Sequence, residues 1–343
     1  MAKAARKPKP VRLALVGAET LIGRELQEVL ETRASAVAIT SYASSGEGNF
    51  GEQEGEAVYL EALTPNSIRD DQAIIIAGTE EGATKAYEIA KQRGGQPLII
   101  DCASHLEQEP EARIVAPLVA TANLDTSWLL VIAHPAASAL GLVLTSLGRL
   151  AGIRQAVANI FEPASERGKR GVSELHQQTT SLLNFKTLEK DVFDAQLGFN
   201  LLSQYGEAAA GKLLTIEERI ERHLTTILGQ QPQDNVVPLP SLRLIQAPVF
   251  HGYSISLWVE FETQVEPTEV GEALAVAAMD VRGAETEPPT NVGVVSQSGL
   301  IVGDVRTDRN NPRAVWIWIV GDNLRLTADA AAELVSQIKI IPE

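Results

Sequence analysis

Hydrophobic and polar positions fall into two regimes along this 343-residue chain. In the first regime, short unbroken apolar runs alternate with stretches whose apolar residues recur every three or four positions. Val11-Arg12-Leu13-Ala14-Leu15-Val16 predicts a strand ending at Gly17, and Ile22, Leu26, Val29 and Leu30 predict an amphipathic helix around Gly23. Val37 to Tyr42 predicts a second strand, and Ala73 to Ala77 a third that ends at Gly78. A helix over Glu80 to Arg93 leads to a further strand at Pro97 to Asp101. Strands that are apolar at nearly every position are buried on both faces. This region, to about Ala133, therefore predicts a parallel sheet covered by helices. Strand, glycine turn and amphipathic helix in that order open a Rossmann-like dinucleotide-binding unit.

The second regime mixes longer polar helices with alternating strands. Arg154 to Phe161 predicts a strand, Gly168 to Asn184 a polar helix, and Thr215 to Leu228 another helix. The charged face of the latter (Glu217, Glu218, Arg219, Glu221, Arg222) reads as solvated, with local ion pairs. Strands follow at Leu242 to Phe250 and Tyr253 to Phe261. The second of these alternates Ser254 and Ser256 with Ile255 and Leu257, the pattern of a half-covered antiparallel sheet. A helix over Val270 to Met279, strands at Leu300 to Val305 and Ala314 to Val320, and a helix over Leu324 to Ile338 complete the prediction. Trp316 and Trp318 share one strand face and point to a core or a subunit interface.

Between the regimes lies Val131-Ile132-Ala133-His134-Pro135-Ala136-Ala137-Ser138: a buried strand, a proline turn and a helix start. The free amides and dipole of such a helix start favour an anion, which makes it the natural seat of a nucleophile. The position best placed for that role is Ala137, which has no functional group.

Composition narrows the picture. A net charge of −15 argues against a nucleic-acid surface. The one cysteine, Cys102, excludes an internal disulfide, and five histidines without ligand spacing argue against a metal site. No apolar run is long enough for a membrane span and no leader is recognisable, so the expectation is a cytoplasmic protein. Residues 1–10, basic and bearing two prolines, are expected to be a disordered tail.

Several stretches, in one order, resemble the aspartate-semialdehyde dehydrogenase family over nearly the whole chain. Gly17-Ala18-Glu19-Thr20-Leu21-Ile22-Gly23-Arg24-Glu25-Leu26 is similar to that family's G-A-T-G-x-V-G-x-E-L. Ala77-Gly78 is similar to its S-A-G, and Ile100-Asp101-Cys102-Ala103-Ser104 to its I-D-N-S-S. His134-Pro135-Ala136-Ala137-Ser138 stands on N-P-N-C-S, and Gly198-Phe199-Asn200-Leu201-Leu202 on A-F-N-L-I-P. Gln246-Ala247-Pro248-Val249-Phe250-His251-Gly252-Tyr253-Ser254 stands on R-V-P-V-x-x-G-H-S, and Gly321-Asp322-Asn323-Leu324-Arg325 on G-D-N-L-R. The resemblance implies a Rossmann-like domain over 11–133, completed by a C-terminal helix at 322–343, and an α+β dimerisation domain over 134–321. It also implies a cysteine thiolate that attacks an aldehyde, hydride transfer to NADP, and release of the acyl group by phosphate.

Four positions that this chemistry uses have changed. The nucleophile slot holds Ala137, the substrate-orienting glutamine slot Glu162, the carboxylate-gripping arginine slot Gln246, and the acid–base histidine slot Tyr253. Nucleophile, base and anchor are lost together, and Glu162 would repel an acidic substrate. Ser138 lacks an activating base and is a poor substitute.

The cofactor loops have drifted too. The resemblance places nucleotide contacts at Gly17, Thr20, Leu21, Ile22, Gly23, Gly78 and Asn323. Thr20, however, replaces the loop's middle glycine, and Glu19 sits close to where two phosphates would lie. Ser41-Tyr42-Ala43-Ser44-Ser45-Gly46-Glu47 lacks both cations of the family's S-x-R-S-x-G-K, and Glu107 replaces a further arginine.

The expectation is a non-catalytic family member of the Usg-like kind, a structural or regulatory subunit. It would be a homodimer or a heterodimer with a related dehydrogenase subunit, with no cofactor required and at most weak NAD(P) binding. One alternative is a residual or repurposed oxidoreductase of amino-acid biosynthesis, with Glu162, Tyr253, His134 and His105 converging as an acid–base site. Another is a nucleotide or small-ligand sensor. Cys102 could be a relocated nucleophile, but the plainer reading is a small apolar residue at a strand end.

Overall fold

A computed structural model describes residues 10–33, 37–53, 56–68, 70–94, 96–124, 127–232, 236–283 and 285–338. The expected tail lies outside these residues except for Pro10, as does the C-terminal end of the helix expected at 322–343. The chain forms two compact units: one of the residues up to Ile132 together with those from Thr327 on, the other of Ala133–Leu326.

In the first unit, β1 (Val11–Val16), α1 (Leu21–Arg33), β2 (Val37–Tyr42), β3 (Asn49–Gln53), β4 (Glu56–Leu60), β5 (Ala73–Ile76), α2 (Glu80–Gln92), β6 (Leu98–Asp101), β7 (Ala112–Val115) and β8 (Leu129–Ile132) follow one another. Six strands form one sheet in the order β2-β1-β5-β6-β8-β7, every pair parallel. Its central strands are apolar on both faces because both are covered. Leu13, Leu15, Ile75 and Ile100 lie on one side and Ala14, Ile74, Ile76 and Ile99 on the other, all fully buried. Strand β7 and the antiparallel hairpin of β3 and β4 went unpredicted. The hairpin carries too little continuous apolar sequence to announce itself.

The second unit begins with α3 (Pro135–Leu150), β9 (Ile153–Glu162), a 3-10 turn (Ala164–Arg167), α4 (Gly168–Leu183) and α5 (Leu213–Gly229). It continues with β10 (Ser241–Gln246), β11 (Tyr253–Phe261), α6 (Pro267–Leu274), β12 (Met279–Val281), α7 (Asn291–Val294), β13 (Leu300–Thr307) and β14 (Ala314–Gly321). Helix α8 (Asn323–Gln337) starts here, and its body belongs to the first unit, where Ala328, Ala331, Leu334 and Val335 join the core of Leu13 and Leu26.

The second sheet runs β10-β9-β11-β14-β13-β12. It is mixed rather than purely antiparallel: β10 runs parallel to β9, and β12 to β13. Three predicted boundaries move for local reasons. Strand β10 stops at Gln246, just before Pro248, which has no N–H to give a ladder. The helix expected over Val270 to Met279 is α6, set earlier by Pro267 in its first turn and a Glu266–Glu269 capping box, and Met279 opens a strand instead. Glu217, expected on a solvated face of α5, accepts the Leu244 amide of β10 at 2.6 Å.

Candidate functional site

Strand register alone brings three of the altered positions together. Gln246 pairs with Glu162 across β10 and β9. Ser254 pairs with Phe161 across β11 and β9, which sets Tyr253 beside Glu162, and Tyr253 in turn pairs with Gly321 of β14. Gln246, Glu162 and Tyr253 therefore form one rung across three neighbouring strands. Their exposures are 0%, 0% and 1%.

A carboxylate at zero exposure needs compensation, and the turn after β9 provides it. Arg167, five residues on, donates from Nη2 to Glu162 Oε1. Burial works against the Arg167 charge, and Glu162, with Tyr205 and Glu166, more than restores it. The Tyr205 hydroxyl donates to Gln246 Oε1 at 2.7 Å, and Gln246 Nε2 donates to the Glu162 carbonyl at 2.8 Å. Burial, then Glu162, raises the Tyr205 phenol, so it stays a donor at neutral pH. Among the described residues, Glu162 Oε2 and Arg167 Nε are buried without hydrogen-bond partners.

Glu166 closes the group from the side of α3. Its Oε2 lies 4.0 Å from His134 Nε2, and its side chain is 17% exposed. His134 is the N-cap of α3: its Nδ1 accepts the Ala136 amide at 3.3 Å, which leaves the ring proton on Nε2, facing Glu166. The His134 ring meets Tyr253 edge-on at 5.9 Å between centroids. Burial, then the neighbouring Glu162, pushes the Glu166 carboxyl up from 4.5 to about 7, against the opposing pull of Arg167, Asn323 and Tyr253. The Tyr253 hydroxyl stands close enough to Glu166 to lower that value, yet outside ordinary hydrogen-bond geometry, and burial then Glu166 raise its own phenol well up. Ala137, fully buried, lies in the first turn of the same helix.

Residues 144–326 match the family described as semialdehyde dehydrogenase, dimerisation domain. The chain belongs to the aspartate-semialdehyde dehydrogenase family. It is 30% identical over 340 residues to a USG-1 protein homolog of Pseudomonas aeruginosa, covering 97% of this chain and 98% of that one. It is 29% identical over 328 residues to an aspartate-semialdehyde dehydrogenase of Rickettsia bellii, covering 92% and 94%. Among solved structures, a probable aspartate-semialdehyde dehydrogenase from Pseudomonas aeruginosa matches with a TM-score of 0.81 at 29% identity, covering 96% and 99%. The Candida albicans enzyme, solved with NADP, matches with a TM-score of 0.67 at 14% identity, over 97% and 100% of the two chains, a likeness of fold alone.

Set against the family's slots, the structure groups Glu162, Gln246 and Tyr253 with Arg167, Tyr205 and Glu166, which the sequence reading did not single out. A signal for Arg167 was present: a carboxylate inside a buried strand demands a cation, and Arg167 is the first one after it. Of the remaining candidates, His105 and Cys102 belong to the first unit and Asn323 to the second. His105 Nε2 lies 3.2 Å from the Gly78 carbonyl. Cys102 is half-buried against the core of that unit. Burial, then Asp101, raises its thiol well above the ordinary value, the reverse of what a nucleophile needs. Asn323 is engaged within the second unit: its Oδ1 accepts from Ser165 Oγ at 3.1 Å and from the Gly252 amide at 3.3 Å.

Gly17 and Gly23 of the first unit serve close packing. Gly17 has φ +94°, and a Cβ there would stand 2.5 Å from Gly78 Cα. A Cβ on Gly23 would stand 2.0 Å from the Gly17 carbonyl oxygen.

Proposed function

We propose that this chain is a family member without thiolate acyl transfer, acting as a structural or regulatory subunit of a dimer in the cytoplasm. One observation carries the reading. The helix start that would hold an acyl-forming nucleophile presents the methyl of Ala137, and the neighbouring rung is occupied by an internal Arg167–Glu162 ion pair. Acyl transfer needs a polarisable anion at that helix start and a base to move protons, and a methyl group offers neither.

The match to a dimerisation domain supports assembly. So does the outer face of the second sheet, where Trp258, Trp316 and Trp318 are half-buried and Val157 is 39% exposed. Phe161 and Trp318 meet at 6.2 Å, and the Trp258 and Trp316 indoles both donate to Asp308, at 2.9 and 2.8 Å. An ordered aromatic face of this kind suits a flat interface with a second copy or a related dehydrogenase subunit. The purified protein should show no aldehyde-dependent NADP reduction, and turnover at an ordinary enzymatic rate would overturn the reading. Ala137→Cys alone should leave it inactive, because Gln246 and Tyr253 still lack the anchor and the base. Mixed with an active relative, the chain should either co-purify with it or remain a self-dimer; a free monomer would count against a subunit role.

A second reading, a repurposed enzyme working by proton transfer, is favoured by Glu166. This carboxyl, half-ionised near neutrality, faces His134 and Tyr253. It predicts deuterium exchange from solvent into the α-position of a small aldehyde such as propanal. Exchange no faster than in Glu166→Gln would remove it.

A further inference from the structure

The fold of the first unit implies a dinucleotide, and the residues present do not fit one. A pyrophosphate at such a site is held by the free amides of a glycine turn and a helix start. Here the chain's own side chains have taken one of these amides and one in the loop beside them. Thr20 Oγ1 accepts the Gly23 amide at 3.0 Å, so the start of α1 is capped from within. The same hydroxyl lies 2.8 Å from the Gly17 carbonyl and 2.9 Å from the Ala77 carbonyl, which ties the turn after β1 to the end of β5. Glu19 Oε1 accepts the Ser44 amide at 2.8 Å. Glu19 Oε2 is buried without a hydrogen-bond partner among the described residues.

The surrounding loops hold this arrangement in place. A Cβ on Gly51 of β3 would lie 3.2 Å from Glu19 Cβ, so the β3–β4 hairpin packs on the Glu19 side chain. The loop after β2 is pinned to α2 by the Thr79 amide and hydroxyl, which donate to the Ser44 carbonyl at 2.9 and 3.0 Å. Lys85 reaches the same loop, donating to the Gly46 carbonyl at 2.9 Å and pairing with Glu47.

We propose that Glu19 is an internal anion, buried beside the glycine turn and tied to the loop after β2, that repels an external phosphate, with Thr20 consuming one helix amide a phosphate would use. The two side chains together, and not an incomplete fold, exclude pyrophosphate-bearing ligands. An orphaned, buried carboxylate oxygen is costly, and its persistence is what a built-in anion requires. An external phosphate would have to approach a charge of its own sign that is tethered to the chain. The inference does not rest on the dimer reading: a wild-type protein that bound NAD without turning it over would sink this proposal and leave that one standing.

The test is calorimetry with inorganic pyrophosphate and with NAD on the full chain, comparing wild type, Glu19→Gln and the double variant Glu19→Thr/Thr20→Gly. Wild type should give no heat with either probe up to about 1 mM. The double variant should bind both at least about tenfold more tightly than wild type, and Glu19→Gln, which removes the charge but keeps the shape, should gain less. NADP should gain less than NAD, because Ala43 and Glu47 stand where cations would grip a 2′-phosphate. Wild-type binding equal to that of the variants would overturn the proposal, as would silence from a folded double variant. Should the double variant fail to fold, Glu19→Gln decides: no gain over wild type would overturn it.

Discussion

Arg167 and Glu162 are a pair in which each partner makes the other tolerable. Glu162 is fully buried and Arg167 is largely enclosed, at 26% exposure. Removing one member of a buried pair leaves an uncompensated charge, which costs roughly 3–5 kcal/mol. Arg167→Met should therefore destabilise the protein by about that much in denaturant titrations, and Glu162→Gln/Arg167→Met should recover most of the loss. Equal destabilisation of the single and double variants would mean that the pair is not the source of the cost. Glu166 gives a pH signature with a definite sign. It keeps its proton up to about pH 7 in the fold but only to about 4.5 outside it. Between those values the folded state binds more protons, so stability falls as pH rises through the window. Glu166→Gln should flatten that fall and raise the melting temperature at pH 8 by a few degrees. Arg167 was legible only as the first cation after a carboxylate in a buried strand, and nothing in Ala164-Ser165-Glu166 marks Glu166 as a residue that faces inward. Only the register of β9 with β10 and β11 turns that segment inward.

At the scale of elements, legibility followed burial. Strands covered on both faces, such as β1, β5 and β8, announce themselves as apolar runs, and α3 does so as a core helix buried without interruption from Ala136 to Leu147. The hairpin of β3 and β4 stayed hidden because its aromatic residues face solvent: Phe50 is 73% and Tyr59 58% exposed, and Leu60 alone among its described residues is buried. The parallel pairing of β10 with β9 stayed hidden as well, since alternation predicts a face and not a neighbour. Motif order assigned residues to the family slots. Their convergence was not legible, because it depends on register. Glu217 shows what such a reading misses. On the helix surface it looks solvated, yet it holds the Leu244 amide of the edge strand β10. Glu217→Ala should cost about 1–3 kcal/mol and speed amide exchange at Leu244. Unchanged protection there would show that the strand edge does not depend on this latch.

For the molecule as a whole, the open face of the second sheet makes the assembly prediction concrete. Trp318→Arg places a charge at the middle of that face and should convert dimers to monomers in sedimentation velocity, with the far-ultraviolet circular dichroism unchanged. A dimer that survives would put the interface elsewhere. The rung of Gln246, Glu162 and Tyr253 has a consequence for ancestry. If the chain descends from a catalytic relative, the route back is barred in small steps. Restoring glutamine at 162 strands the Arg167 guanidinium, and losing Arg167 first strands the Glu162 carboxylate. On the proposed reading, a cysteine at 137 would gain nothing until an arginine at 246 and a histidine at 253 accompanied it. Each single reversion is thus neutral at best and costly at worst, so the ion pair acts as a ratchet. It would hold this lineage away from dehydrogenase chemistry even where that chemistry would be of advantage.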